Sequence, residues 1–311
     1  MIEQSIQLGE SVEHRGAVIA PLFPRRQPVA SYVTLEEAIR LGFHVGEVDE
    51  AGSVPDLLAR NPLDANVLLY DGEELLGAKQ NRILNVTVLA AAGAETRIPV
   101  SCVEVGRWSS RSAAFSSSPS HAYPELRRVK AQRLSAEPLS RGIAQGAVWD
   151  EVRGKAARLG VDSRTGAQRD IFAARENDLA GLRKAFPLAA GQTGALFALG
   201  DRLCLDYVSR PETFVRLYPK LLDGYLLDAV EHLEGTGVSY ERLAGFLTAA
   251  EQAPSKSQNS AGLGEDLRLA GSGLVGSGLT LEDELVQLCV FSADEERPRT
   301  SVARPSRRRT A

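Results

Sequence analysis

Residues 66–105 read NVLLYDGEELLGAKQNRILNVTVLAAAGAETRIPVSCVEV. Three apolar runs, 67–70, 82–89 and 97–105, are separated by breaks rich in Gly, Asp and Ala. Short runs rich in β-branched residues and Leu, bounded by turn residues, read as strands. Asp71-Gly72 accepts the positive φ angles of a type I′ turn, so 67–70 and 73–76 are expected to pair as a hairpin. Closely spaced antiparallel strands predict an α+β protein with an antiparallel β-rich core, sandwich or barrel-like, and helices mainly in the second half.

Toward the N-terminus, 17–20 reads as a strand. Thr34 stands three residues before Glu37, a capping-box spacing, so a short helix starts there and Gly42 stops it. Residues 43–48 then read as a strand. Toward the C-terminus, Ser109, Ser110, Ser112, Ser116, Ser117, Ser118 and Ser120 crowd a stretch with little to bury, read as a mobile loop. Helical spacing follows at 148–159, at 163–186 with Ser163 as N-cap, and at 211–218 and 221–233, divided by Pro219. A last helix is expected over 239–251.

Residues 196–207 form a hairpin through Gly200-Asp201, 254–262 a polar loop, and 265–291 a Gly-punctuated β meander. The whole reads as a single α+β domain over 1–292: a β-rich N-terminal half, a helical insert at 148–252 and a β return at 265–291. The rest, 293–311, is an Arg-rich tail with almost no apolar residues, expected to be disordered.

Composition excludes several functions. The 311 residues carry 36 Lys plus Arg against 40 Asp plus Glu, a net charge of -4, so a basic nucleic-acid binder is not expected. No apolar run reaches the roughly 20 residues of a membrane span, and no secretory signal opens the chain. Three scattered cysteines, Cys102, Cys204 and Cys289, suggest neither a disulfide framework nor a metal knuckle; with no export signal visible, a cytoplasmic protein is expected. The four histidines show no zinc spacing. Gly271-Ser272-Gly273-Leu274-Val275-Gly276 fits GxGxxG, but no helix follows it, so Gly-bent strands are the better reading. No cofactor or metal is assigned.

The chemistry concentrates in two places. Glu73, Glu74, Lys79, Gln80, Asn81 and Arg82 lie between apolar strands, where unpartnered polar groups are costly. Either they form a solvated bend, or they converge on a ligand. In the second case Glu73 and Glu74 are acid/base candidates, Lys79 and Arg82 contact phosphate, and Gln80 and Asn81 orient it. The other place is IPVSCVEVGRW, residues 98–108. Cys102 and Glu104 share a strand face, and Arg107 and Trp108 follow. They are candidates for an opposite wall, with Cys102 and Glu104 as catalytic groups and Arg107 and Trp108 as ligand contacts. The competing reading is a buried Cys beside a Glu–Arg pair.

These two motifs, GEELLGAKQNRILN and IPVSCVEVGRW, resemble a bacterial domain family of unknown function. Its name records association with ADP-ribosylglycohydrolases and with rhodanese- and phosphatase-superfamily proteins. Looser resemblance runs through 34–38, 52–57, 145–149 and 214–229. It implies a place in NAD or ADP-ribose metabolism and assigns no reaction. The expectation is a protein that binds or processes an ADP-ribose- or nucleotide-like, phosphorylated or ribosylated small molecule. The alternative is a non-catalytic metabolite-sensing or protein-interaction module. The sequence leaves the oligomeric state open.

Overall fold

The computed structural model describes residues 5–48, 55–107, 112, 114–136, 145–232 and 237–293. The tail from 294 lies outside the described residues, and so does Trp108. The chain opens with β1 (Ile6–Leu8), β2 (Val12–His14), β3 (Ala17–Pro24), β4 (Tyr32–Thr34), α1 (Leu35–Arg40), β5 (His44–Glu47) and β6 (Asp56–Arg60). Next come β7 (Asn66–Leu69), β8 (Glu73–Gly77), β9 (Arg82–Leu84), β10 (Val88–Ala90), β11 (Glu95–Cys102) and β12 (Phe115–His121). Four helices follow: α2 (Pro124–Ala136), α3 (Gln145–Arg158), α4 (Gln168–Ala174) and α5 (Glu176–Arg183). The chain continues with β13 (Gly194–Leu199), β14 (Arg202–Val208), α6 (Pro211–Val230), α7 (Tyr240–Gln252), β15 (Ser255–Asn259), β16 (Glu265–Gly271), β17 (Leu274–Leu281) and β18 (Glu284–Ser292).

These strands make three sheets. The largest, curled as a half-barrel, runs β1-β3-β13-β14-β18-β17-β16-β15, with β2 also on β3. A six-stranded sheet runs β12-β8-β9-β11-β6-β5, and a small one runs β10-β7-β4. The fold is α+β with mostly antiparallel sheets, as the sequence predicts. One face of the half-barrel packs on α2 to α6, through residues such as Phe197, Phe214 and Tyr225. Its other face packs on α7 through Leu243, Phe246 and Leu247. The third core cluster lies beneath the two smaller sheets, against Leu35 and Ala38 of α1. No helix among the described residues is long and apolar enough to cross a membrane.

Several local readings hold. Thr34 and Glu37 form the reciprocal capping box of α1. Gly200-Asp201 closes the β13–β14 hairpin. Ser272 and Gly273 both have positive φ, 53° and 73°, so the GxGxxG string is a tight turn between β16 and β17.

Others are corrected. At Asp71-Gly72 only Gly72 has positive φ, 86°, and the Glu73 amide bonds the Tyr70 carbonyl at 3.0 Å. That is a type II arrangement, whose twist does not suit a two-residue hairpin. The strands it joins therefore enter different sheets: β7 pairs with β10 and β4, β8 with β12 and β9. The expected strand 82–89 divides likewise into β9 and β10.

Much of the serine run is not a loop. Residues 115–121 form β12, with Ser118 and Ser120 buried, because an edge strand pairs its backbone whatever its side chains. The expected helix 163–186 is two short helices meeting at Arg175. Ser163 caps neither; its hydroxyl ties Asp170 to the Ala167 amide. Pro219 does not divide α6, because the bond it forfeits is to the carbonyl of Val215, an exposed position that water serves. Residues 255–259 are the edge strand β15 rather than loop. Helix α2 was not anticipated, since PELRRVKAQRLSA has no apolar stripe.

Candidate functional site

The two sequence motifs meet. The bend between β8 and β9 carries Gly77 and Ala78 at φ of 136° and 39°, which brings Gln80 and Asn81 over the end of β11. Gln80 Nε2 donates to the Glu104 carbonyl at 2.8 Å, and its Oε1 accepts from Arg82 Nη1 at 3.1 Å and Cys102 Sγ at 2.8 Å. The Asn81 amide donates to Glu104 Oε2 at 3.2 Å, and Asn81 Oδ1 accepts from Arg107 Nη2 at 3.1 Å. Arg107 is ion-paired with Glu104 at 2.6 Å and donates to the Ala78 carbonyl at 2.8 Å. Gln145, at the start of α3, pairs its amide with both backbone groups of Cys102 at 2.8 Å each.

Gln80, Asn81, Arg82, Cys102, Glu104 and Arg107 are all buried, at 5% exposure or less. Buried polar groups require partners, and here the two motifs supply most of them to each other. The arrangement is a clamp that joins β8, β9 and β11 to α3. Lys79 is half-buried between two buried neighbours.

Glu73 and Glu74 do not share a site. Successive side chains on a strand face opposite sides. Glu73 accepts from the Tyr70 amide at 3.0 Å and lies 3.7 Å from Lys220 of α6. Burial raises its pKa, against the pull of Lys220. Glu74 takes the other face, where Ser118 donates to Oε2 at 2.8 Å. Its Oε1 is buried without a hydrogen bond. Burial lifts its carboxyl to about 7, with Ser118 and Arg169 opposing the rise and the charges of Glu104 and Asp170 adding to it.

Arg169 and Asp170 come from a segment that sequence reasoning did not single out. Residue Ala167 bridges Glu104, and the Gln168 amide donates to the Val103 carbonyl at 2.9 Å. The Gln168 side chain is fully buried with neither polar end bonded, an exception to the rule that such groups find partners. Arg169 is exposed. Glu74, Glu104, Gln168, Arg169 and Asp170 thus gather where the two motifs meet α4.

A second polar centre is sealed in the core and was also missed. Arg127 of α2 holds Asp206 of β14 through two bonds, 2.8 and 2.6 Å, and reaches Asp71 at 3.4 Å. Lys130 donates to Asp71 and to the Leu84 carbonyl, both at 2.5 Å. The hydroxyls of Tyr70 and Tyr225 each donate to Asp206 at 2.6 Å. Burial alone would raise the Asp206 pKa; the Arg127 charge and these bonds outweigh it and hold the carboxyl at about 2. Beside it, burial and then Arg127 push His121 down to about 3, so its ring is neutral at pH 7. Burial pushes Cys289 up to about 12, which keeps the thiol protonated. These groups are buried, and both carboxylates are already held by Arg127, Lys130, Tyr70 and Tyr225, so the centre ties elements together. A lone Asp in the apolar run LCLDYV is the sequence signal that a buried cation waits elsewhere.

Among the described residues no group of His, Cys, Asp and Glu is arranged to hold a metal ion. No curated protein and no solved structure matches the chain. A family model does: the ARG and Rhodanese-Phosphatase-superfamily-associated Protein domain, ARPP-1, matches residues 5–291.

Proposed function

The chain belongs to the ARPP-1 family, the ARG and Rhodanese-Phosphatase-superfamily-associated proteins, and on that premise we propose that it binds and processes an ADP-ribose- or nucleotide-like small molecule. The site is the meeting point of the two motifs with α4. Glu74 moves the proton. Protonated, it donates to a leaving oxygen; ionised, it accepts from an attacking water. The single observation that carries this reading is its carboxyl: buried, bonded through one oxygen only, and titrating at about 7. Arg169, exposed beside it, and half-buried Lys79 serve the anionic part of the ligand. Glu104, Arg107, Gln80 and Asn81 position the strand ends through the clamp, and Cys102 acts as a buried structural thiol within it. Three buried free thiols suit a reducing, cytoplasmic setting.

Calorimetry with ADP-ribose, NAD and AMP, followed by chromatography of each ligand after incubation, tests this reading. Glu74→Gln is expected to retain ligand affinity within about threefold while turnover falls by 10²-fold or more. If none of the three ligands binds, or if Glu74→Gln turns over like the wild type, the reading fails.

One observation favours a second reading, a non-catalytic metabolite-sensing or interaction module. The clamp residues bond chiefly to one another, which serves rigidity rather than chemistry. A module returns every bound ligand unchanged after long incubation.

A further inference from the structure

Strand β1 is an edge of the half-barrel, and its outer side is open. It faces β3 through Ser5, Gln7 and Gly9. The Arg25 amide donates to the Ser5 carbonyl at 3.0 Å and the Gly9 amide to the Pro21 carbonyl at 2.8 Å, with Gln7 opposite Phe23 between them. In an antiparallel pair the alternate residues turn their backbone groups the other way, so Ile6 and Leu8 present N–H and C=O outward. Two long side chains cover those of Ile6. Glu251 of α7 accepts from its amide at 3.2 Å, and Arg25 Nε donates to its carbonyl at 3.0 Å. Among the described residues, no hydrogen-bond partner takes the N–H or C=O of Leu8. Native sheets blunt their edges, and here the blunting stops at Ile6.

Between this edge and α7 runs a groove of about 440 Å³, a volume that holds a ligand. Ala244 and Thr248 line it one helical turn apart, and Leu247 and the Leu8 side chain give it an apolar wall. The Arg25 guanidinium is exposed and forms no ion pair among the described residues. Its planar fork remains available to a carboxylate.

We propose that this groove binds the C-terminal end of an extended peptide, which adds as a strand antiparallel to β1 and seats its terminal carboxylate on Arg25. The backbone of Leu8 offers one donor and one acceptor at strand spacing. Coming from Leu8, an added strand reaches the Ile6 carbonyl, where Arg25 lies, before the Ile6 amide, where Glu251 lies. A carboxylate that stops there meets a guanidinium. A longer chain meets a carboxylate and an edge already taken. The third residue from the end then stands opposite Leu8, and its side chain and that of the last residue share the side of Leu8 and Leu247. The groove shares no residue with the Glu74 centre and goes beyond that reading.

The probe is the peptide Thr-Val-Thr-Val, built of strand-forming residues, with a fluorescein at its N-terminus and a free carboxyl end. It is titrated with the full chain by fluorescence polarisation. It is expected to bind saturably. The same peptide closed as a carboxamide, and one N-methylated at the first Val, which stands opposite Leu8, are each expected to bind about tenfold more weakly or worse. Arg25→Ala is expected to bring the free acid down to the level of the carboxamide. Leu8→Pro removes the outward N–H, which β3 does not use, and is expected to weaken every peptide. Should that variant misfold, the N-methylated peptide puts the same question from the ligand side. Glu74→Gln is expected to change nothing. No saturable binding overturns the proposal. So does a carboxamide that binds like the acid, or an acid indifferent to Arg25→Ala or to N-methylation.

Discussion

Two carboxyls show how one residue type takes opposite states in one core. Asp206 is held down at about 2 by Arg127, Tyr70 and Tyr225. Its stabilisation is complete above its ordinary value of 3.8 and is lost as pH falls through about 2. Asp206→Asn strands the Arg127 charge and is expected to cost about 3–5 kcal/mol at pH 7, read by urea denaturation. The deficit relative to wild type should narrow as pH falls below 3.8. Glu74 runs the other way. Its carboxyl is lifted from 4.5 to about 7, so the unfolded chain releases that proton first and wild-type stability declines across this interval as pH rises. Glu74→Gln should remove the decline, gaining roughly 3 kcal/mol over wild type at pH 8 and little at pH 4. A Glu74→Gln variant less stable than wild type at pH 8 would show that the carboxylate is well solvated or well paired.

Among the elements, the ones read correctly are those whose signal is local. Helix α1 needs only Thr34 and Glu37 to mark its start. Thr34→Ala is expected to cost about 1 kcal/mol in thermal or urea melts. The turn at Gly72 is different. A Cβ there would lie 2.7 Å from His121 Cε1 and 2.9 Å from Arg127 Cδ, at a φ of 86°. Gly72→Ala therefore adds backbone strain to a clash with the sealed charge centre. It is expected to destabilise by more than about 1 kcal/mol, and a neutral result would mean that Arg127 can shift without loss. Strands β9 and β10 were read as one because both are apolar, and nothing local marks the point where the chain changes sheet. Strand β12 was missed for the converse reason: its serines carry no apolar alternation, and its pairing with β8 supplies the order.

Across the whole molecule, the centre of Asp71, Arg127, Lys130 and Asp206 draws on the β7–β8 turn, α2 and β14. Tyr225 adds α6. Charges shared across sheets and helices cannot be released piecemeal without stranding one of them. The described chain is thus expected to unfold in one cooperative step, with far-ultraviolet dichroism and tyrosine fluorescence giving coincident urea transitions. Two separated transitions would refute a single domain. The α+β class, the antiparallel meander at the C-terminal end, the capping box and the family are legible along the chain, because periodicity, turn residues and motifs are written in neighbouring positions. Folding fixes which strands pair, that Glu73 and Glu74 part to opposite faces, and that Gln80 to Arg107 close into a clamp. It alone brings α4 to Glu74 and Arg127 to Asp206. The reason is physical: a buried charge is tolerable only beside its partner, and partners 56 or 79 residues away leave no trace in local pattern.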